Sequence, residues 1–284
     1  MINKTRIASL VALTFSLTAL GGQSDEEMMK NVDHSLGGAT QFLKVLENHK
    51  SELAECKPIK KDKNYMLCDG TSVSHELLKK LFSKKNSELL KFLQNQKINY
   101  EILCKESHLK NFRKWCNPNA NRSFFKEVTS LHGQYVPAEK TIVIQSDASN
   151  GSLIHEYLHY LQHENKNQIY GLTYKSDRVA VHADLLKTMN FIIERVNELE
   201  KEGRKEEAKK WIKPAMSVGD TMMKFSLWQK IIDERNLFLL FINFGKELGI
   251  KKEDIELAKK NIGFICNDPE ASKILNENEC KIKK

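Results

Sequence analysis

Helical periodicity over most of the chain, broken by one pair of short strands near its middle, predicts a predominantly α protein with a small antiparallel β element (α+β). Three observations carry that expectation. Apolar residues recur at three- and four-residue spacing over 41–53, 75–93, 189–200 and 225–248, so each run forms an apolar stripe once it is helical. The few prolines fall mostly between those runs. Gln134-Tyr135-Val136 and Thr141-Ile142-Val143-Ile144-Gln145 read as two strands joined by the turn Pro137-Ala138-Glu139-Lys140.

Taken in chain order, Lys4 and Arg6 precede an uncharged apolar run over 7–20, followed by Gly21-Gly22 and the acidic Asp25-Glu26-Glu27. The run is too short for a comfortable membrane span and reads as a secretory signal peptide, residues 1–22. Ala19 and Gly21 put small residues where a signal peptidase inspects the chain, so cleavage is expected near Gly21 or Gly22. Leu20-Gly21-Gly22-Gln23 is similar to a bacterial lipobox with glutamine in place of the lipidated cysteine, and without that cysteine the thioether anchor cannot form. The expectation is an exported bacterial protein, periplasmic or secreted, with no transmembrane segment in the mature chain.

Three regions follow: an N-terminal helical region over 23–120, a core over 121–200, and a C-terminal helical region over 201–284. The six cysteines fall as neighbouring pairs, Cys56 with Cys68, Cys104 with Cys116, and Cys266 with Cys280. Six cysteines allow fifteen pairings, and nearest-neighbour bridging is the expected one because every pair closes a short local loop. Each such loop contributes about 3 kcal/mol on the chain-entropy model. Zinc binding by these cysteines is not expected, because no CxxC is present.

The net charge of +8 invites a nucleic-acid reading, but the lysines are scattered along every helix and no nucleic-acid motif is present. A basic surface suits acidic polymers or acidic substrates instead. Residues 197–210 are rich in Glu and Lys at helical spacing, the pattern of a solvated face. Phe225, Leu227, Trp228, Ile231, Ile232, 237–242 and Phe244 form the most apolar stretch, which charges interrupt too often for a bilayer span, so it reads as core. The length suits one large domain or two small ones.

The chemistry concentrates at His155-Glu156-Tyr157-Leu158-His159, an HExxH pattern. On a helix, residues four apart share a face, so His155 and His159 can present two imidazole nitrogens to one metal ion, with Glu156 beside them to act on a water. The surroundings fit a helix. Residues 146–152 form a polar turn with several N-cap candidates, and the apolar-periodic run 153–161 follows directly. His155, His159 and Gln162 share one arc, while Leu153, Ile154, Tyr157 and Leu161 lie elsewhere and can pack.

This strand, turn and HExxH helix resembles the zincin metallopeptidases over roughly 134–200, and His-Tyr-Leu-Gln at 159–162 is similar to the HExxHxxQ variant of gluzincin-like families. The resemblance implies a zincin-like catalytic core within the helical frame and one zinc ion bound by His155 and His159. It also implies that Glu156 acts as general base and later protonates the leaving amine. His163 continues the ladder, but three imidazoles on an unbroken helix cannot converge on one ion. It reads as a surface residue or a support for the others. The family places its third ligand on the next helix, commonly in Glu-x-x-x-Asp; Asp184 matches the aspartate, and Ala180 stands where the glutamate belongs. Ser176 and Asp177 read as caps of that helix. His182 or, alternatively, Asp184 then supplies the third ligand, or the site has lost one. Tyr170 and Tyr174, in the loop between the two helices, are the candidate phenols for a developing oxyanion.

The expected function is that of an exported zinc-dependent metallopeptidase acting on a peptide or protein substrate. The alternative is a catalytically silent relative that binds a partner through its helical regions.

Overall fold

The computed structural model describes residues 24–103, 133–137, 139–165, 168–169 and 172–275. Ser24 accepts a hydrogen bond from the Glu27 backbone N–H (3.3 Å) and opens helix α1, Asp25–Asn48. Asp25, Glu26 and Glu27 sit in its first turn, where carboxylates meet the positive end of the helix dipole. A short α2 (Lys50–Glu55) leads into strands β1 (Ile59–Lys61), β2 (Asn64–Met66) and β3 (Ser72–Ser74), and then α3 (His75–Phe82) and α4 (Asn86–Asn95). Strands β4 (Asn99–Leu103), β5 (Gly133–Val136) and β6 (Thr141–Gln145) precede α5 (Asn150–Glu164), which carries the HExxH pattern. Helices α6 (Tyr174–Lys201), α7 (Lys205–Lys209) and α8 (Ile212–Gln229) follow, then a π-helical turn at Lys230–Glu234, α9 (Arg235–Leu248) and α10 (Lys252–Asn267). The predominantly helical class with small sheets is as expected.

Two compact units divide the chain, one from Met1–Lys50 and Tyr170–Gln229, the other from Ser51–Ile169 and Lys230–Lys284. The apolar run 225–248 is therefore shared: Phe225 and Trp228 belong to the first unit, and Leu237, Leu240 and Phe241 to the second. In the first unit α1 packs on α6 and α8, which also pack on each other. Met28, Val32, Ala39, Phe42 and Leu46 recur at helical spacing on the buried face of α1. Phe42 stacks on Phe225 with ring centroids 5.3 Å apart, and Trp211 meets Phe191 edge to face.

The second unit holds a mixed sheet of order β4-β6-β5. The expected hairpin is there, with Tyr135 opposite Ile142 in the antiparallel β5–β6 pair. A parallel partner that periodicity did not suggest, β4, lies on the other side of β6 with Ile102 opposite Ile144. Every residue of the central β6 is buried, which explains its near-continuous apolar sequence. Helix α5 packs on β5 and β6. The core joins Ile142, Ile144, Leu153, Ile154 and Leu158 to Leu237, Leu240 and Phe241. At about 1.5–3 kcal/mol per fully buried large apolar side chain, this packing is what holds α5 against the sheet and α9.

Two helix expectations change in detail. The run 75–93 breaks at Ser83-Lys84-Lys85, because Glu88 Oε2 accepts from the Lys85 backbone N–H (2.9 Å) and starts a new helix there. Helix α6 begins at Tyr174, so Ser176 and Asp177 lie in its first turn rather than capping it. Cys56 and Cys68 form the expected disulfide. Cys266 is also disulfide-bonded, while Cys104, Cys116 and Cys280 lie outside the described residues. No described helix is long and apolar enough to cross a membrane.

Candidate metal centre

Helix α5 is fixed at its start by Ser149, one of the expected caps. Its hydroxyl accepts from the Ser152 backbone N–H (3.0 Å) and donates to Asp254 Oδ1 (2.6 Å) at the start of α10. One and two turns further on, the i, i+4 spacing does what the pattern requires. His155 Nε2 and His159 Nε2 stand 3.1 Å apart, and both rings are buried.

The third donor is Glu234. Its Oε2 lies 3.0 Å from His155 Nε2 and its Oε1 3.3 Å from His159 Nε2. Among the described residues, His155, His159 and Glu234 form the group of three whose ligand atoms lie within 4.8 Å of one another. A tetrahedral zinc site with bonds of about 2.0–2.1 Å spaces its ligand atoms about 3.3 Å apart, so the three donors fit such an ion. Glu234 closes the π-helical turn Lys230–Glu234, and turns of this kind recur at functional sites. The residues read as alternatives, His182 and Asp184, both lie on α6 in the other unit. There Asp184 Oδ2 accepts from the Ser35 hydroxyl (2.6 Å). Glu234 lies not on the helix after α5 but in the turn Lys230–Glu234, far downstream, and tertiary packing brings it to the histidines.

Other side chains hold the donors in place. His159 Nδ1 donates to Gln162 Oε1 (2.9 Å), which leaves Nε2 for the shared site, so the glutamine of HExxHxxQ fixes the imidazole's orientation. The His155 ring stacks on Phe238 (4.8 Å) and meets Phe241 edge to face. Glu156 turns toward strand β5, where its Oε2 accepts from the Tyr135 backbone N–H (2.7 Å). Gly133 makes room for it: a Cβ there would stand 2.9 Å from Glu156 Cγ and 3.2 Å from its Oε1. His163 is buried, with Nδ1 2.8 Å from the Tyr135 hydroxyl, so it supports the neighbouring strand rather than facing solvent. Tyr170 lies outside the described residues, and Tyr174 is the first residue of α6 in the other unit.

The electrostatics follow from this crowding. Burial alone would raise the Glu234 carboxyl, but the charge of His159 and hydrogen bonds from His155 and His159 outweigh it and hold the group well below the usual carboxylate range. Burial alone would lower His159; the charge and hydrogen bond of Glu234, with smaller contributions from Glu156 and Asp233, push it up to about 9. Glu156 is raised, chiefly by burial, against the pull of both histidines and the Tyr135 N–H.

Comparison with protein-family profiles, curated proteins and solved structures finds no match to this chain.

Proposed function

We propose that the protein is an exported zinc-dependent metallopeptidase in which His155, His159 and Glu234 hold one zinc ion and Glu156 is the general base. The observation that supports this most directly is the convergence of two imidazoles and one carboxylate at tetrahedral spacing. His2Glu is also a donor set of catalytic zinc sites, which keep a fourth position open. A bound zinc ion would polarise the scissile carbonyl and bring the pKa of a water toward neutrality. Glu156, the residue between the two imidazoles in sequence, would serve as the base that takes a proton from the attacking water and returns it to the leaving amine. Glu234 is half-buried, whereas both imidazoles are buried.

Digestion of a broad peptide library by the zinc-loaded wild type and by Glu156→Ala tests this reading. Cleavage by the wild type and its loss by about two to four orders of magnitude in the variant is the expected result, in line with the contribution of a positioned general base. Equal cleavage by both proteins, or none by either, overturns the enzyme reading. Zinc binding without cleavage would turn the assignment to the silent, partner-binding alternative.

A further inference from the structure

The Cys56–Cys68 disulfide lies in the same unit as the metal centre, and its two ends hold the two segments that carry the ligands. At one end, the Cys56 carbonyl accepts from Arg235 Nη1 (3.2 Å). Arg235 is only 1% exposed and directly follows Glu234. At the other end, the carbonyl of Asp69, the residue after Cys68, accepts from Asn165 Nδ2 (2.7 Å). Asn165 is the C-cap of α5, the helix that carries His155, His159 and Gln162.

The anchor at Asp69 is itself rigid. Its carboxylate accepts from the Thr71 backbone N–H (2.9 Å) and hydroxyl (2.8 Å), and the Leu67 carbonyl accepts from Gly70. The bridge closes a loop of sequence separation 12 and fixes the two Cα atoms 5.8 Å apart, so the two accepting carbonyls keep a set relation to each other. Neither hydrogen bond touches a metal-ligating atom. One ends at the residue after Glu234 and the other six residues beyond His159, each on a different ligand-bearing segment.

We propose that the Cys56–Cys68 bridge, acting through Arg235 and Asn165, is a brace that holds Glu234 and the HExxH helix at metal-binding separation. This rests on the metal-binding reading of the same centre. Arg235 and Asn165 are positioning residues, because they act on the site through the elements that carry the ligands. The consequence is that metal affinity depends on a covalent bond remote from the metal.

The test is zinc affinity by chelator competition, with the absorption spectrum of the cobalt-substituted protein, on the full chain with its other cysteines intact. The proteins are the wild type, Cys56→Ser/Cys68→Ser, Arg235→Lys and Asn165→Ala. About tenfold weaker zinc binding in each variant, with a changed cobalt spectrum, is expected from loss of support around the ligands. Adding Arg235→Lys to the double serine variant should then cost little more, since both act through one contact. A purely structural role would lower the melting temperature and leave the affinity and spectrum of the folded protein unchanged, and that result overturns the brace. If the serine variant does not fold, Arg235→Lys and Asn165→Ala carry the test. Wild type that binds zinc no better than its variants overturns the brace alone. Wild type that binds no zinc overturns the metal reading, and the brace with it.

Discussion

Single side chains at the centre make opposite demands on protons, and that sets a measurable pH dependence. His159 titrates at about 9 in the folded protein against an ordinary 6.5, because Glu234 favours its charged form. A raised pKa of this kind gives stability that is fully present below pH 6.5 and lost as pH rises through about 9. The metal-free protein should therefore become easier to unfold across that window, which urea titrations at stepped pH will read. Zinc needs the neutral imidazole, so binding at pH 7.5 should release about one proton. Calorimetry in buffers of different ionisation enthalpy measures this directly; an enthalpy that does not vary with buffer would contradict the His159–Glu234 pairing. Gly133 makes a second demand. Gly133→Ala puts a methyl group against Glu156, so it should cost about 1–3 kcal/mol of stability or displace the carboxylate. Zinc should remain bound while peptide cleavage falls, and unchanged cleavage would show that the position of Glu156 does not depend on the glycine.

Among elements, α5 was legible in the sequence and the π-helical turn was not. The cap, the apolar face and the i, i+4 histidines of α5 are all local, so periodicity and turn chemistry were enough to place His155, Glu156, His159 and the orienting Gln162 on one helix. Glu234 depends on the packing of α9 against α5, and no spacing in the sequence marks it. The surrounding Asp233-Glu234-Arg235-Asn236 did carry a signal: four polar residues interrupt the most apolar stretch of the chain, and three of them, Asp233, Arg235 and Asn236, are fully buried. Buried polar runs need partners, and here they mark the segment that faces the site. The third strand of that sheet carried only a short signal, since Asn99-Tyr100-Glu101-Ile102 alternates over just four residues before Leu103 breaks the pattern, and its parallel pairing with β6 is set only in the folded sheet. Ser149→Ala removes both the cap of α5 and its bond to Asp254. It should lower stability by about 1 kcal/mol, read as a lower melting temperature. No change would mean that packing alone fixes the start of the helix.

For the whole molecule, the chain crosses between the two compact units three times, so the candidate metal centre is built within the second unit from two distant stretches of sequence. The helical class and the Cys56–Cys68 bridge follow from local pattern and local loop closure, which is why both could be read in advance. The arrangement of units could not, because the apolar run 225–248 is continuous in sequence yet supplies two cores. Zinc bound only by the folded form should stabilise it by mass action, so chelation should lower the melting temperature by an amount that grows with the logarithm of zinc affinity. The most direct test of the central claim is zinc content per chain for the wild type, Glu234→Ala, His182→Ala and Asp184→Ala, purified and loaded alike. One zinc in the wild type and in both α6 variants, with loss in Glu234→Ala, is the predicted result; full retention by Glu234→Ala would contradict the centre described above.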